Sequence, residues 1–137
     1  MWKAEPFCKR LESMDPKTIL ILDDNLLNLK VVSLLLKQEG FHVVTVSESI
    51  AGLNKIRQLR PDLVLLDLQL PGMDGIQIAR RLKSDPATAD ITLIAITAYA
   101  TAQAKQQAAE AGFSGYVTKP IDTRVLPDLI RSHLTSK

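Results

Sequence analysis

Apolar positions along the chain fall into two alternating patterns. One is short and nearly continuous in Ile, Leu and Val: Thr18 to Leu22, His42 to Val46, Asp62 to Asp67, Ile91 to Ile96 and Gly115 to Thr118. Runs of this kind mark strands covered on both faces. The other pattern has helical spacing and lies between the runs. Leu26 to Glu39 carries Leu27, Val31, Leu34 and Leu35 on that spacing and stops at Gly40, a residue suited to the turn beyond a helix end. Ser47 is placed to cap a helix running through Leu59 and closed by Pro61. Asp74 or Gly75 opens a helix through Lys83, and Ala100 to Ala111 is alanine-rich and stops at Gly112. Asp122 is placed to cap a last helix from Arg124 to about His133.

Strand and helix thus alternate five times, which implies an α/β fold with parallel pairing. A doubly wound, five-stranded parallel sheet in the order 2-1-3-4-5 satisfies the pattern, with its ligand crevice outside the carboxyl ends of the strands. The repeat occupies residues 17–137. Residues 1–16 are then an N-terminal extension, with no room for a second folded domain. Within the extension, Pro6 followed by Phe7 and Leu11 suits one short helix over Ala4 to Met14, a frayed terminus being the alternative.

Composition narrows the class. A chain of 137 residues buries about two-thirds of its surface on folding. With 46% hydrophobic and 23% charged residues, intrinsic disorder is excluded. The single cysteine, Cys8, excludes an internal disulfide and points to a reducing compartment such as the cytoplasm. A formal charge of +2 is too weak to mark a nucleic-acid face. No apolar stretch is long enough to span a bilayer. The segment from Met1 to Lys17 lacks the apolar core of a signal peptide. The expectation is a cytoplasmic protein that binds neither nucleic acid nor membrane.

The predicted carboxyl rim concentrates the chemistry. Strand 1 ends in Asp23-Asp24, strand 3 in Asp67, strand 4 in Thr97 and strand 5 in Lys119-Pro120. A strand-end Asp often does no more than cap the next helix, and a strand-end Lys is usually just solvated. Their joint placement on four strand ends is more telling. Clustered carboxylates repel unless a cation neutralises them, and Mg²⁺ suits a few carboxylates combined with waters and phosphate oxygens. A carboxylate such as Asp67 can act as a nucleophile on phosphorus. That reaction needs a metal on the transferring oxygens and a fixed cation, which Lys119 can supply. The hydroxyl of Thr97 can donate to a phosphoryl oxygen. A proline after Lys119 makes that bond a candidate for the cis form, which sequence alone does not show.

With the acidic pair in ILDDN, the LLDLQLPGMDG segment, the ITAYA segment and the YVTKPI segment in this order, the chain resembles the receiver domain of two-component response regulators, of the CheY-like type. The resemblance covers Lys17 to His133. It implies the flavodoxin-like (βα)5 receiver fold, with Asp67 as phosphoacceptor. Asp23, Asp24 and Asp67 would hold Mg²⁺ together with the backbone carbonyl of Gln69. Thr97 and Lys119 would contact the phosphoryl group, Tyr116 would be the switch aromatic, and the side chains of Gln69 and Tyr99 would tune the lifetime of the phosphate. It further implies a stand-alone signalling phosphoacceptor rather than an enzyme, catalysing only its own phosphoryl transfer and dephosphorylation. The donor would be a histidine kinase or histidine phosphotransfer protein and the reader a downstream protein. The protein would be a monomer or a phosphorylation-dependent dimer. The alternatives are a metal-dependent aspartyl-phosphate hydrolase of the haloacid-dehalogenase type and a phosphorylation-independent scaffold. Such hydrolases separate their two aspartates by one residue, whereas here Asn25 stands where the second would fall. A nicotinamide-binding domain is excluded because no GxGxxG follows strand 1.

Overall fold

The computed structural model describes residues 16–99 and 101–135. The proposed short helix over Ala4 to Met14 lies outside them. Five strands, β1 (Thr18–Leu22), β2 (His42–Val46), β3 (Leu63–Asp67), β4 (Thr92–Thr97) and β5 (Gly115–Thr118), alternate with α1 (Leu26–Gln38), α2 (Ser49–Leu59), α3 (Gly75–Ser84), α4 (Ala102–Ala111) and α5 (Leu126–Thr135). The strands form one sheet in the order β2-β1-β3-β4-β5, and every pairing is parallel. The doubly wound order expected from the sequence is therefore the order found.

Side chains alternate across a strand, and here the alternation divides the core in two. Ile19, Ile21, Leu63, Leu65, Ile94 and Ile96 face one way, against Leu29, Val32 and Leu36 of α1 and Leu126 and Ile130 of α5. Leu20, Leu22, Val64, Leu66, Leu93 and Ala95 face the other way, against residues of α2, α3 and α4 that include Leu53, Ile56, Ile78, Leu82 and Ala108. β3 and β4 are buried along their whole length, as unbroken apolar runs require. The edge strands depart from that expectation. His42 and Thr45 of β2 and Thr118 of β5 are exposed, because an edge strand has a neighbour on one side only.

Three helix starts and one helix face differ from the sequence expectation. α2 begins at Ser49 behind Glu48, which makes no side-chain cap bond, so Ser47 is not the cap. Thr101 caps α4 by accepting from the Ala104 N–H, and the helix starts at Ala102 rather than Ala100. Asp122 accepts from the Arg124 N–H and guanidinium and so caps a turn; α5 starts later, at Leu126. Pro127 falls in its first turn, where a missing N–H costs no helical bond. On α1 the stripe of Leu27, Val31 and Leu34 faces solvent, with Leu27 70% exposed, while Leu29, Val32, Ser33 and Leu36 face the sheet. The helix is apolar on most of its circumference, so spacing does not single out the inner face.

Candidate functional site

The carboxyl ends of β1, β3, β4 and β5 meet at one end of the sheet. Asp67 is the last residue of β3, in register with Ile96 of β4. Thr97 is the last residue of β4, opposite Thr118 of β5. Asp23 follows β1, and its N–H donates to the Val46 carbonyl, so the backbone that carries it is an extension of the sheet. Lys119 follows β5 and donates its N–H to the Thr97 carbonyl at 2.8 Å. The Lys119–Pro120 bond is cis. Asp23 and Asp67 are each only 1% exposed and Thr97 is fully buried, whereas Asp24 is exposed.

These side chains engage one another. The Lys119 ammonium lies 2.7 Å from Asp67 Oδ2 and 3.5 Å from Asp23 Oδ2. Asp67 Oδ1 accepts from the Gln69 N–H and Asp23 Oδ1 from the Asn25 N–H, both at 2.9 Å. Thr97 Oγ1 accepts from the Tyr99 N–H at 3.0 Å and from Gln69 Nε2 at 3.1 Å. The Tyr116 hydroxyl donates to the Tyr99 carbonyl, which links β5 to the rim. The Lys105 ammonium lies 5.7 Å from the centre of the Tyr116 ring.

Burial, the Lys119 ammonium and like charge together set the electrostatics of the rim. Burial pushes the Asp67 carboxyl above its ordinary value; Lys119 and the Gln69 N–H oppose the rise, and neighbouring Asp23 adds to it. Partial burial pulls the Lys119 ammonium down, but its bonds to Asp67, and then Asp23, leave it above its ordinary value. Each of Asp23, Asp24 and Asp67 offers one oxygen, and these oxygens all lie within 4.8 Å of one another. Three hard oxygen donors from two adjacent strand ends suit a small divalent cation such as Mg²⁺.

The structure therefore brings together Asp23, Asp24, Asp67, Thr97 and Lys119, with Gln69 beside them and Tyr116 one carbonyl away. The Tyr99 ring is 62% exposed, and what Tyr99 adds to the network is its backbone. Two supporting residues are not identified from the sequence. At Gly75, the first residue of α3, an added Cβ would lie 2.5 Å from the Asp67 carbonyl oxygen and 2.8 Å from Leu68 Cα. Only glycine lets α3 approach the end of β3 this closely. The hydroxyl of buried Ser49 lies 3.1 Å from the Pro71 carbonyl and 2.6 Å from the Met73 carbonyl, fastening the loop that follows Asp67. The glycine after MD is visible in the sequence, but its close approach is not. Nothing in the sequence signals the long-range bonds of Ser49.

A doubly wound sheet with buried acids, a lysine and a threonine at its carboxyl rim defines the receiver class. The response regulator receiver domain family model matches residues 19–131, and the chain belongs to that family. It is 33% identical over 119 residues to the polar-differentiation response regulator DivK of Brucella anthropi, covering 87% of this chain and 97% of that protein. The crystal structure of a CheY-like receiver domain protein from Methanospirillum hungatei JF-1 superposes with a TM-score of 0.83 at 29% identity, covering 89% of this chain and 96% of that one. The receiver domain of the sensor histidine kinase PA1611 from Pseudomonas aeruginosa PAO1 superposes with a TM-score of 0.80 at 26% identity, covering 88% and 98%; its structure has a magnesium ion coordinated in the active-site cleft. Among the described residues, no helix is long and apolar enough to cross a membrane.

Proposed function

We propose that the chain is a signalling phosphoacceptor, taking a phosphoryl group onto Asp67 from a phosphohistidine of a histidine kinase or phosphotransfer protein. The observation that carries this reading is the Lys119 ammonium held between Asp67 and Asp23 at the mouth of the acid cluster. Asp23, Asp24 and Asp67, with the Gln69 carbonyl, would hold Mg²⁺. When bound, the cation neutralises charge on the transferring oxygens. An Asp67 carboxylate oxygen attacks phosphorus, the P–N bond to the donor imidazole breaks, and its electron pair leaves with the ring. Lys119 offsets charge on the incoming phosphoryl group. The Thr97 hydroxyl, already accepting two bonds, is left with its O–H to donate to a phosphoryl oxygen. A shift of Thr97 then reaches Tyr116 through Tyr99, which gives the site a route to the outer face of β5.

The exposed stripe of Leu26, Leu27, Val31 and Leu34 begins two residues beyond Asp24, beside the rim, and is where a protein phosphodonor would dock. The hydrolase reading loses support at Asn25. Its side chain accepts from the Asn28 N–H as the cap of α1, so the position is given to helix capping rather than acid–base work.

Incubation with acetyl phosphate, with and without Mg²⁺, tests the proposal by intact mass. The wild type should gain one phosphoryl group only when Mg²⁺ is present, and Asp67→Ala should gain none. An increment that persists in Asp67→Ala would overturn the assignment.

A further inference from the structure

Among the described residues Thr97 is the only fully buried hydroxyl at the rim, and both of its acceptor lone pairs are in use. One is taken by the Tyr99 backbone N–H, which any residue at that position would supply. The other is taken by the Gln69 side-chain amide, 28 residues away in sequence and itself at the exposed edge of the site. Among the described residues the Thr97 hydroxyl donates no hydrogen bond of its own. With its lone pairs occupied, this hydroxyl can act only as a donor. The same oxygen begins a hydrogen-bonded chain that runs from Gln69 through Thr97 and the Tyr99 backbone to the Tyr116 hydroxyl.

We propose that the side chain of Gln69 is a positioning residue for the switch: by donating to Thr97 Oγ1 it orients the Thr97 O–H toward a phosphoryl oxygen on Asp67, and so sets how fully phosphorylation is felt at Tyr116. The inference rests on the phosphoacceptor reading above and adds a residue to it. Gln69 has two features that suit this role. Its backbone N–H donates to Asp67 Oδ1 at 2.9 Å, so the side chain departs from a fixed point. Its amide is neutral and donates without adding charge to a cluster that already holds three carboxylates. A side chain of the same reach without an N–H would leave the second lone pair of Thr97 open, and the hydroxyl would be free to rotate away from the site.

The test uses the full chain, labelled with nitrogen-15 and treated with acetyl phosphate and Mg²⁺. Intact mass gives phosphoryl occupancy, and the amide shifts of Tyr116 and Val117 give the response per occupied molecule. Gln69→Met keeps the length of the side chain and removes the donor. It should lower the switching equilibrium per occupied molecule by about two- to tenfold, the range one net hydrogen bond supports. The loss should recur when Gln69→Met is combined with Thr97→Ser, which keeps the hydroxyl, and vanish in a Thr97→Ala background, which removes it. A wild-type response per occupied molecule in Gln69→Met would overturn the inference. So would an equal loss in the Thr97→Ala background, because the side chain would then act elsewhere. A wild type that takes up no phosphate would instead overturn the phosphoacceptor reading itself.

Discussion

Two ends of the same strands are built on opposite terms. Along β3, Leu63 to Leu66 are fully buried in apolar surroundings, and each contributes to one of the two core layers. One residue further, Asp67 is as buried as they are but carries a carboxyl group that burial holds above its ordinary value. β1 repeats the contrast where Leu22 gives way to Asp23, and β4 where Ile96 gives way to Thr97. The layers provide stability. The rim gives up part of it to the buried polar groups Asp23, Asp67 and Thr97. Stability and function should therefore respond in opposite directions on either side of a one-residue boundary.

The largest effect is expected below the boundary. Leu66→Ala removes a fully buried side chain from the layer shared with α2, α3 and α4. It should cost about 2–5 kcal/mol, read as a lower denaturation midpoint, while the folded fraction still takes up phosphate. At the boundary itself, Gly75→Ala forces a Cβ against backbone that cannot move aside. It should cost about 1–3 kcal/mol and, unlike Leu66→Ala, should also slow phosphoryl uptake by displacing Asp67. Equal uptake rates for the two folded variants would mean that α3 does not position the acceptor.

Above the boundary the sign reverses. Asp67→Asn should stabilise the metal-free protein by roughly 0.5–2 kcal/mol while abolishing uptake. Lys119 keeps Asp23 as a partner in that variant, so no buried cation is orphaned. The gain should also depend on pH. The native state holds the Asp67 proton more tightly than the unfolded chain does. Its contribution to stability is thus complete below the ordinary carboxylate range and is lost as pH rises through the raised native value. The stability gap between Asp67→Asn and wild type should be small in acid and widen toward neutrality. Denaturant midpoints of both proteins across that range check it, and a gap that narrows as pH rises would contradict it.

Much of this contrast is legible in the sequence. An unbroken run of Leu and Val that stops at Asp67 locates both β3 and the candidate site at its end, and the acidic pair after Leu22 does the same for β1. Strand boundaries differ by a residue at β3 and β4, because Asp62 and Ile91 look like strand but lie in the preceding turns. The inner face of α1 is not legible, since Leu27, Val31 and Leu34 make as regular a stripe as Leu29, Val32 and Leu36. Local signals also mislead where a side chain has a distant use. Ser47 and Asp122 look like helix caps, yet the serine that matters is Ser49, bonded to carbonyls 22 and 24 residues away. The bond from Gln69 to Thr97 spans 28 residues and follows only from the sheet that sets β3 beside β4.

If the strand-end acids form one cation site held against the stability of the fold, paired thermal melts reveal it most directly. Wild type and Asp67→Asn are each melted in EDTA and in Mg²⁺ at about ten times its dissociation constant. Binding at that level should stabilise the wild type by about 1.4 kcal/mol, or about 4–5 °C for a domain of this size. Asp67→Asn should melt above the wild type in EDTA and gain little from Mg²⁺, because one of the three ligand carboxylates is gone. A wild type indifferent to Mg²⁺, together with an Asp67→Asn that melts lower in EDTA, would contradict such a site.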